Sequence, residues 1–196
     1  MEQTILNARI RILFAARKLF AQHGFEATTV RQICKEAQLN LALVSYHFGG
    51  KESVFFALFD EFFPKDLFSL GNTPLGPVEG INAVIEKVVR FKIEQPEMVT
   101  IIQQEILMKS PRLKGMSKYM YPVLTKLKEF LEEGKKQHLF NFESIDNALI
   151  FIMSITTFPL SNAFINPLLS DKNRDITTVV TDICLQWLEK LEVKLH

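Results

Sequence analysis

The most constraining feature of this sequence is a pair of short helical segments within residues 28–51, joined by a turn. Thr29 is a favourable N-cap, and Gln32 can complete a capping box by bonding back to the Thr29 amide. Asn40 offers a second N-cap, for a helix over residues 41–47. Apolar residues of the first segment recur at spacings of three and four, as on one buried helical face: Val30, Ile33, Cys34 and Ala37. Two short helices joined by about three or four residues predict a helix-turn-helix, whose second helix can enter the DNA major groove.

Further residues in and around this region follow a recognisable order and spacing: Phe20, His23-Gly24-Phe25, Thr28-Thr29, Ile33, Ala37, Tyr46-His47-Phe48 and Lys51-Glu52. With the string AQLNLALVSYHFGGKE, they resemble the N-terminal domain of the tetracycline-repressor (TetR/AcrR) family of bacterial regulators. Gln38 stands where the family's turn usually carries a glycine, and Ser45 stands where its recognition helix commonly carries a tyrosine. These two departures bear on the geometry of the turn and on one phosphate contact.

The resemblance implies that the first turn of the second helix approaches base edges in the major groove. Residues 41–43 occupy that turn, and they suit contact with thymine methyl groups because their side chains form no hydrogen bonds. The amides at the start of the motif's first helix, just after Thr29, can bind phosphate, with Arg31 beside them. We predict that these residues contact DNA: Thr29, Arg31, Leu41, Ala42, Leu43, Ser45, Tyr46, His47 and Lys51.

Some of these residues have a structural alternative. Thr29 can serve only as a helix cap, and His47 can bond to neighbouring backbone. Gly49-Gly50 lets the backbone approach a phosphate, and Lys51 adds a positive charge at the start of the helix that follows the motif. Because an apolar first turn gives weak direct readout, we expect specificity to depend also on Arg31, on dimer spacing and on DNA shape.

The charge distribution favours a basic N-terminal region. The chain has a net charge of +1, but residues 1–52 hold seven Lys/Arg against four Asp/Glu, which gives +3 there and −2 in the remainder. A basic region on a neutral body is typical of a DNA-binding domain joined to a second domain. For the basic residues of the first predicted helix, residues 4–23, a solvated face is the alternative to phosphate contact: Arg9, Arg11, Arg17 and Lys18.

The rest of the chain predicts helices. The fourth helix runs from Lys51 to a break at Pro64, and the prolines and glycines of residues 64–80 mark a linker whose Phe68 and Leu70 are expected to pack on the body. Later segments show apolar residues at helical spacing and no useful strand alternation: residues 78–94, 97–109, 112–138, 143–165 and 171–195. We predict an all-α protein of about nine helices. Residues 1–50 would form a three-helix DNA-binding domain, and residues 51–196 a helical ligand-binding and dimerisation domain.

Residues 147–170 contain no charged residue. A transmembrane helix is one interpretation, because the length is sufficient. Polar residues and two prolines within the stretch, without a flanking basic cluster, argue against it. A helix that is apolar on most faces can instead be buried against its own core and a partner chain. The resemblance implies dimerisation through the last two helices, so we predict a homodimer and no membrane span.

The 17 phenylalanines and six methionines can line a ligand cavity or form plain core, and the sequence leaves both open. The resemblance implies a C-terminal domain that holds an inducer and thereby shifts the spacing of two DNA-binding heads. The apolar composition favours an uncharged or amphipathic effector. The candidate lining residues lie on the middle helices: Phe59, Phe63, Phe91, Ile102, Met108, Tyr119, Met120, Leu124 and Phe158.

Signals for catalysis are poor, since the sequence has no phosphate-cradling glycine motif and no HExxH, CxxC or GxSxG. We therefore predict that the chain is not an enzyme and uses neither cofactor nor metal. Cys34 and Cys184 have no partner at ligand spacing, which indicates buried free thiols in a reducing compartment. Without the features of a signal peptide at its N-terminus, the chain is expected in the cytoplasm.

These patterns together predict a ligand-responsive transcriptional regulator, a repressor that binds a palindromic operator as a homodimer and is released by a small, largely apolar ligand. The alternative is a helical protein-interaction module, or a regulator without a small-molecule inducer.

Overall fold

The structure is a computed structural model that describes residues 2–67, 74–158, 167 and 175–189. In that part of the chain it contains nine α-helices and no strand, which confirms the predicted all-α class. The helices, in chain order, are α1 (Glu2–Ala27), α2 (Val30–Ala37), α3 (Leu41–Phe48), α4 (Lys51–Phe62), α5 (Pro77–Glu94), α6 (Pro96–Leu107), α7 (Leu113–Lys136), α8 (Ile145–Thr157) and α9 (Ile176–Glu189).

Prolines and glycines set several helix bounds. α5 begins at Pro77, three residues before the predicted end of the linker, because proline is well suited to the first position of a helix. The predicted packing of Phe68 and Leu70 lies outside the described residues. In α1, Gly24 takes φ 78° and ψ 167°, which interrupts the helical backbone close to the predicted stop.

Within the described residues, the last two helices are shorter than the sequence predicts. α8 ends at Thr157 and α9 ends at Glu189, and most of the predicted extensions fall outside the described residues. No helix in the described ranges is long and apolar enough to cross a membrane.

Packing divides the chain into two compact units. The first unit comprises Met1–Phe63 with Gln95–Tyr119, and the second comprises Pro64–Glu94 with Met120–His196. Helix α6 and the start of α7 therefore belong to the same unit as the helix-turn-helix, and α6 packs on α1. The predicted boundary at residue 50 divides DNA binding from ligand binding and dimerisation. The packing units divide the chain at other residues, so this functional boundary stays a prediction.

The core of the first unit is rich in phenylalanine. The Phe55 ring is fully buried and lies 5.9 Å from Phe20, 5.4 Å from Phe25 and 5.4 Å from Phe59, measured between ring centroids. These rings come from α1 and α4, so aromatic packing joins the helix that supports the motif to the helix that follows it.

In the second unit α5 packs on α8 and α9. Gly80 of α5 lies directly against the Phe130 ring of α7, where a Cβ atom would come within 2.4 Å of the ring. Between α8 and α9, Phe151 stacks on Trp187 with ring centroids 4.4 Å apart. Cys184 is buried on α9, and burial raises the pKa of its thiol to about 12. Cys34 is also free and buried, in the first unit.

Candidate nucleic-acid interface

The start of α2 has the predicted cap. The Thr29 side chain accepts a hydrogen bond from the Gln32 amide at 3.3 Å, and the Gln32 side chain accepts one from the Thr29 amide at 2.7 Å. This capping box leaves the amides that follow Thr29 at an exposed helix end, with the Arg31 side chain exposed beside them. The arrangement can receive a phosphate.

The turn into α3 is held in a conformation that glycine would adopt more easily. Gln38 has φ 53° and ψ 46°, in the left-handed region. The Arg11 guanidinium donates to the carbonyl oxygen of Ala37 at 2.6 Å and to that of Gln38 at 3.4 Å. Asn40 then caps α3 by accepting a hydrogen bond from the Ala42 amide at 2.7 Å. A non-glycine turn is thus compatible with the motif, because an arginine and a helix cap hold it on both sides.

Helix α3 exposes four of its six predicted DNA contacts to solvent. Val44 is fully buried and attaches α3 to the rest of the unit, whereas 73% of the Tyr46 surface is exposed. The exposed members of the predicted set are Thr29, Arg31, Leu41, Ala42, Ser45 and Tyr46, and Leu43, His47 and Lys51 are half-buried. The structure therefore brings residues of α2 and α3 into one unit with six of the nine predicted contacts exposed.

His47 lies between two other rings, 5.1 Å from Tyr46 and 6.1 Å from Phe48. Its Nε2 atom is buried and has no hydrogen-bond partner. The backbone hydrogen bond considered as the alternative for His47 is therefore not formed at this atom. A DNA contact by this imidazole stays a prediction.

Lys51 has a structural role that the sequence did not reveal. Its Nζ donates hydrogen bonds to the carbonyl oxygens of Phe25 at 2.8 Å and Thr28 at 2.9 Å, and it lies 4.2 Å from the centre of the Phe25 ring. The ammonium group thus ties the start of α4 to the segment between α1 and α2. Its predicted contact with phosphate is untested and would compete with these bonds.

We expect Lys51→Met to lower the free energy of unfolding by about 1–3 kcal/mol, because two partly buried carbonyl groups lose their donor. Thermal denaturation measures the loss, and Lys35→Met, at an exposed position of α2, is the control. If Lys51 also contacts phosphate, its variant will lower the salt dependence of DNA binding by about one counterion per half-site. An unchanged melting temperature would contradict the structural role.

The basic residues of α1 are occupied by contacts inside the first unit. Arg9 pairs with Glu61 at 2.9 Å, Arg17 with Glu97 at 2.7 Å, and Lys18 with Glu36 at 2.6 Å, while Arg11 bonds to the turn before α3. Arg11 and Lys18 are exposed and Arg9 and Arg17 are half-buried, so the solvated face fits part of this set, and contact with phosphate stays a prediction. By contrast, Arg31 and Lys35 form no ion pair with any described residue, so no described carboxylate neutralises these two charges of α2.

The nine candidate ligand-lining residues divide between the two units. Phe59, Phe63, Ile102, Met108 and Tyr119 belong to the first unit, and Phe91, Met120, Leu124 and Phe158 belong to the second. The rings of Phe59 and Phe63 lie 5.2 Å and 5.8 Å from that of Tyr119. Met108 is 79% exposed and Phe158 is 52% exposed, so neither is enclosed in the single chain. A common effector cavity for all nine stays a prediction.

Tyr119 is the polar member of the aromatic group. Its hydroxyl donates to a carboxylate oxygen of Asp60, and its ring is buried. Burial, followed by this hydrogen bond, raises the pKa of the phenol well above its ordinary value, so the group remains a donor at neutral pH. Among the described residues, no group of three His, Cys, Asp or Glu side chains is placed to hold a metal ion.

Comparison with known proteins identifies both halves of the chain. The sequence model described as "Bacterial regulatory proteins, tetR family" matches residues 12–58, and the one described as "Tetracyclin repressor-like, C-terminal domain" matches residues 77–175. Among curated relatives, the HTH-type transcriptional repressor NicS of Pseudomonas putida is 27% identical over 203 residues, covering 94% of this chain and 93% of NicS.

Solved structures agree with this result. HlyIIR, a hemolysin II transcriptional regulator, is 30% identical with a TM-score of 0.74, covering 91% of this chain and 97% of HlyIIR. PfmR of Thermus thermophilus, a TetR family transcriptional regulator, is 27% identical with a TM-score of 0.68, covering 93% of this chain and 99% of PfmR. These relatives are regulators of transcription, not enzymes.

Proposed function

Because this chain belongs to the tetR family of bacterial regulatory proteins and is a DNA-binding transcriptional regulator, we propose that it represses transcription as a homodimer on a palindromic operator. A small, largely apolar ligand would release it from the DNA. The observation that carries the proposal is the pair of capped helices α2 and α3, which present an open helix N-terminus and a row of exposed side chains on one unit.

In the DNA complex, α2 and α3 contact different parts of the DNA. The N-terminal amides of α2 and the Thr29 hydroxyl bind phosphate, and Arg31 reaches a phosphate or a base edge. Leu41, Ala42 and Leu43 contact thymine methyl groups, and the polar groups of Ser45 and Tyr46 contact the backbone. A bacterial regulator of this kind meets its operator in the cytoplasm, where we expect this chain to act.

The proposed dimer interface lies on α8 and α9. Ile150 of α8 is 63% exposed in the single chain, and Ile183 of α9 is 43% exposed. Because α8 and α9 pack on each other and each exposes an aliphatic side chain, we infer that a second chain covers this face. Two copies of this face would form a four-helix interface, and the half-site spacing of the operator would follow from it.

We expect Ile150→Glu to weaken dimerisation by at least about tenfold, because two carboxylates would be buried without partners across a symmetric interface. Sedimentation velocity over a concentration series measures the change. Leu139→Glu, which places the same charge at a 45% exposed residue after α7, is the matched control and should leave the dimer intact. Dimerisation that withstands Ile150→Glu would place the interface elsewhere.

Release by a ligand requires that the ligand binds more tightly to the conformation whose heads do not fit the operator. The aromatic group around Tyr119, within the first unit, supplies a surface for a ligand with few charges. The Tyr119 hydroxyl and Asp60 supply a polar group beside them. An uncharged or amphipathic effector therefore suits this chain better than a highly charged one.

The direct test is fluorescence anisotropy of the protein titrated onto the DNA upstream of its own gene, across a salt series. We expect binding that is at least about a thousandfold tighter than to random DNA and that weakens steeply with salt. Sequence-blind binding to every fragment of that region would contradict an operator there and would favour the interaction module. Once binding is established, the same assay screens small apolar compounds as effectors.

A further inference from the structure

A buried arginine stands at the corner between α6 and α7. Only 9% of the Arg112 side chain is exposed, and its Nε and Nη2 atoms donate to the two carboxylate oxygens of Glu105 at 2.9 Å and 3.2 Å. The Glu105 side chain is itself only 6% exposed. Because this two-point pair fixes the guanidinium plane, Arg112 is held in one orientation.

The same guanidinium contacts the end of α1, just before the helix-turn-helix. Its Nη1 atom donates to the Glu26 carboxylate at 3.0 Å, and its central carbon lies 3.7 Å from the centre of the Phe25 ring. A cation this close to an aromatic face is attracted by the ring electrons. Arg112 thus contacts two consecutive residues that lead directly into α2.

Phe25 is also the residue that Lys51 contacts. The Lys51 ammonium bonds to the Phe25 carbonyl oxygen and lies 4.2 Å from the ring centre, at the first residue of α4. Only Gly49 and Gly50 separate Lys51 from the end of α3. Glu105, Arg112, Phe25 and Lys51 therefore form a continuous series of contacts, which we call the Phe25 clamp, from α6 to the first residue of α4.

Stability alone does not explain the Phe25 clamp. A buried ion pair often contributes no more to stability than an apolar pair of similar volume, because both charges lose their hydration. What distinguishes the Phe25 clamp from an apolar contact is its fixed geometry. A guanidinium that bonds two carboxylates and lies on a ring allows only one arrangement of these neighbours. Phe25 and Lys51 lie in the stretch matched by the DNA-binding family model, and Glu105 and Arg112 lie in the stretch matched by the C-terminal one.

We propose that Arg112 is a positioning residue for operator binding, which acts through Phe25 and Lys51 to hold α3 in the orientation that fits the major groove. This inference rests on the proposed function, since it requires a specific operator. Arg112 touches no DNA. Its loss therefore changes affinity without removing a phosphate contact.

The test compares two arginine-to-lysine variants. Arg112→Lys keeps the charge beside Glu105 but cannot bond two carboxylates and stack on Phe25 at once. Arg17→Lys is the matched control, because Arg17 is also largely buried, pairs with Glu97 and contacts the rings of Phe14 and Phe62 but not Phe25. We expect Arg112→Lys to weaken operator binding about fivefold with an unchanged salt slope, and Arg17→Lys to leave affinity within about twofold.

A second variant separates positioning from folding. Glu105→Met/Arg112→Met replaces both charges of the buried pair together. Because neither residue leaves an unpaired charge in the core, we expect this variant to fold. Its operator affinity, measured on protein shown to be folded by circular dichroism, should fall by about tenfold or more. Wild-type affinity in this folded variant, or equal losses in the two lysine variants, would overturn the inference. Failure of the wild-type protein to prefer any operator would overturn the proposed function, and the inference with it.

Discussion

Replacing Arg31 with alanine is expected to weaken operator binding about 30-fold or more. A well-placed arginine contact to a base contributes about 1–3 kcal/mol of discrimination, and a dimer would lose one such contact in each half-site. Arg31 is exposed in the first turn of α2 and pairs with no described carboxylate, while the arginines of α1 are held by other groups. Its charge is therefore available to DNA without the loss of an existing contact.

Lys35→Ala is the matched control, since it removes a positive charge from an exposed position one turn further along α2. Anisotropy titrations with the operator and with random DNA, at several salt concentrations, separate the possible contacts. A base contact predicts that operator affinity falls more than random affinity, and a phosphate contact predicts equal losses with a salt slope smaller by about one per half-site. If Arg31→Ala binds the operator as tightly as Lys35→Ala does, Arg31 does not contact DNA.

Replacing Phe55 with alanine is expected to lower the free energy of unfolding by about 3–5 kcal/mol, because the cavity it leaves is enclosed on all sides. Phe55 is fully buried and its ring contacts rings from both α1 and α4. Such a loss is a large part of the total stability of an ordinary domain. DNA binding at moderate temperature should fall with it, since the same rings support the segment before α2.

Urea denaturation followed by circular dichroism measures this effect. Phe14→Ala is the control, because the Phe14 ring is about half exposed and its removal leaves no closed cavity. We expect a loss for Phe14→Ala of at most about 1.5 kcal/mol, mostly from its contacts with Phe62 and Arg17. Similar losses in the two variants would show that the first unit fills the space left by Phe55.

The parts of the site that depend on neighbours in sequence were predictable. Thr29 and Gln32 are three residues apart, and the capping box follows from that spacing alone. Asn40 as the cap of α3 is also a local property, because a cap residue directly precedes the helix that it caps. Gln38 shows the limit of such reasoning, because its left-handed backbone is held in part by Arg11, which lies in another helix.

The roles of Lys51 and Arg112 could not be read from the sequence. Lys51 bonds to carbonyl groups 26 and 23 residues away, and Arg112 bonds to a carboxylate 86 residues away. Only the fold determines such pairs, because any exposed lysine or arginine is equally compatible with the local pattern. The same reason prevented the sequence from separating the candidate ligand-lining residues into two packing units.

The apolar first turn of α3 also has an evolutionary consequence. Leu41 and Ala42 are exposed, Leu43 is half-buried, and the helix is anchored by Val44 instead. Substitutions at exposed positions of this kind usually change stability by less than about 0.5 kcal/mol. Descendants of this gene can therefore exchange these residues for hydrogen-bonding ones and acquire new operators without compensating mutations in the core. Duplicated copies of the gene would then diverge in the promoters they recognise while their scaffold stays the same.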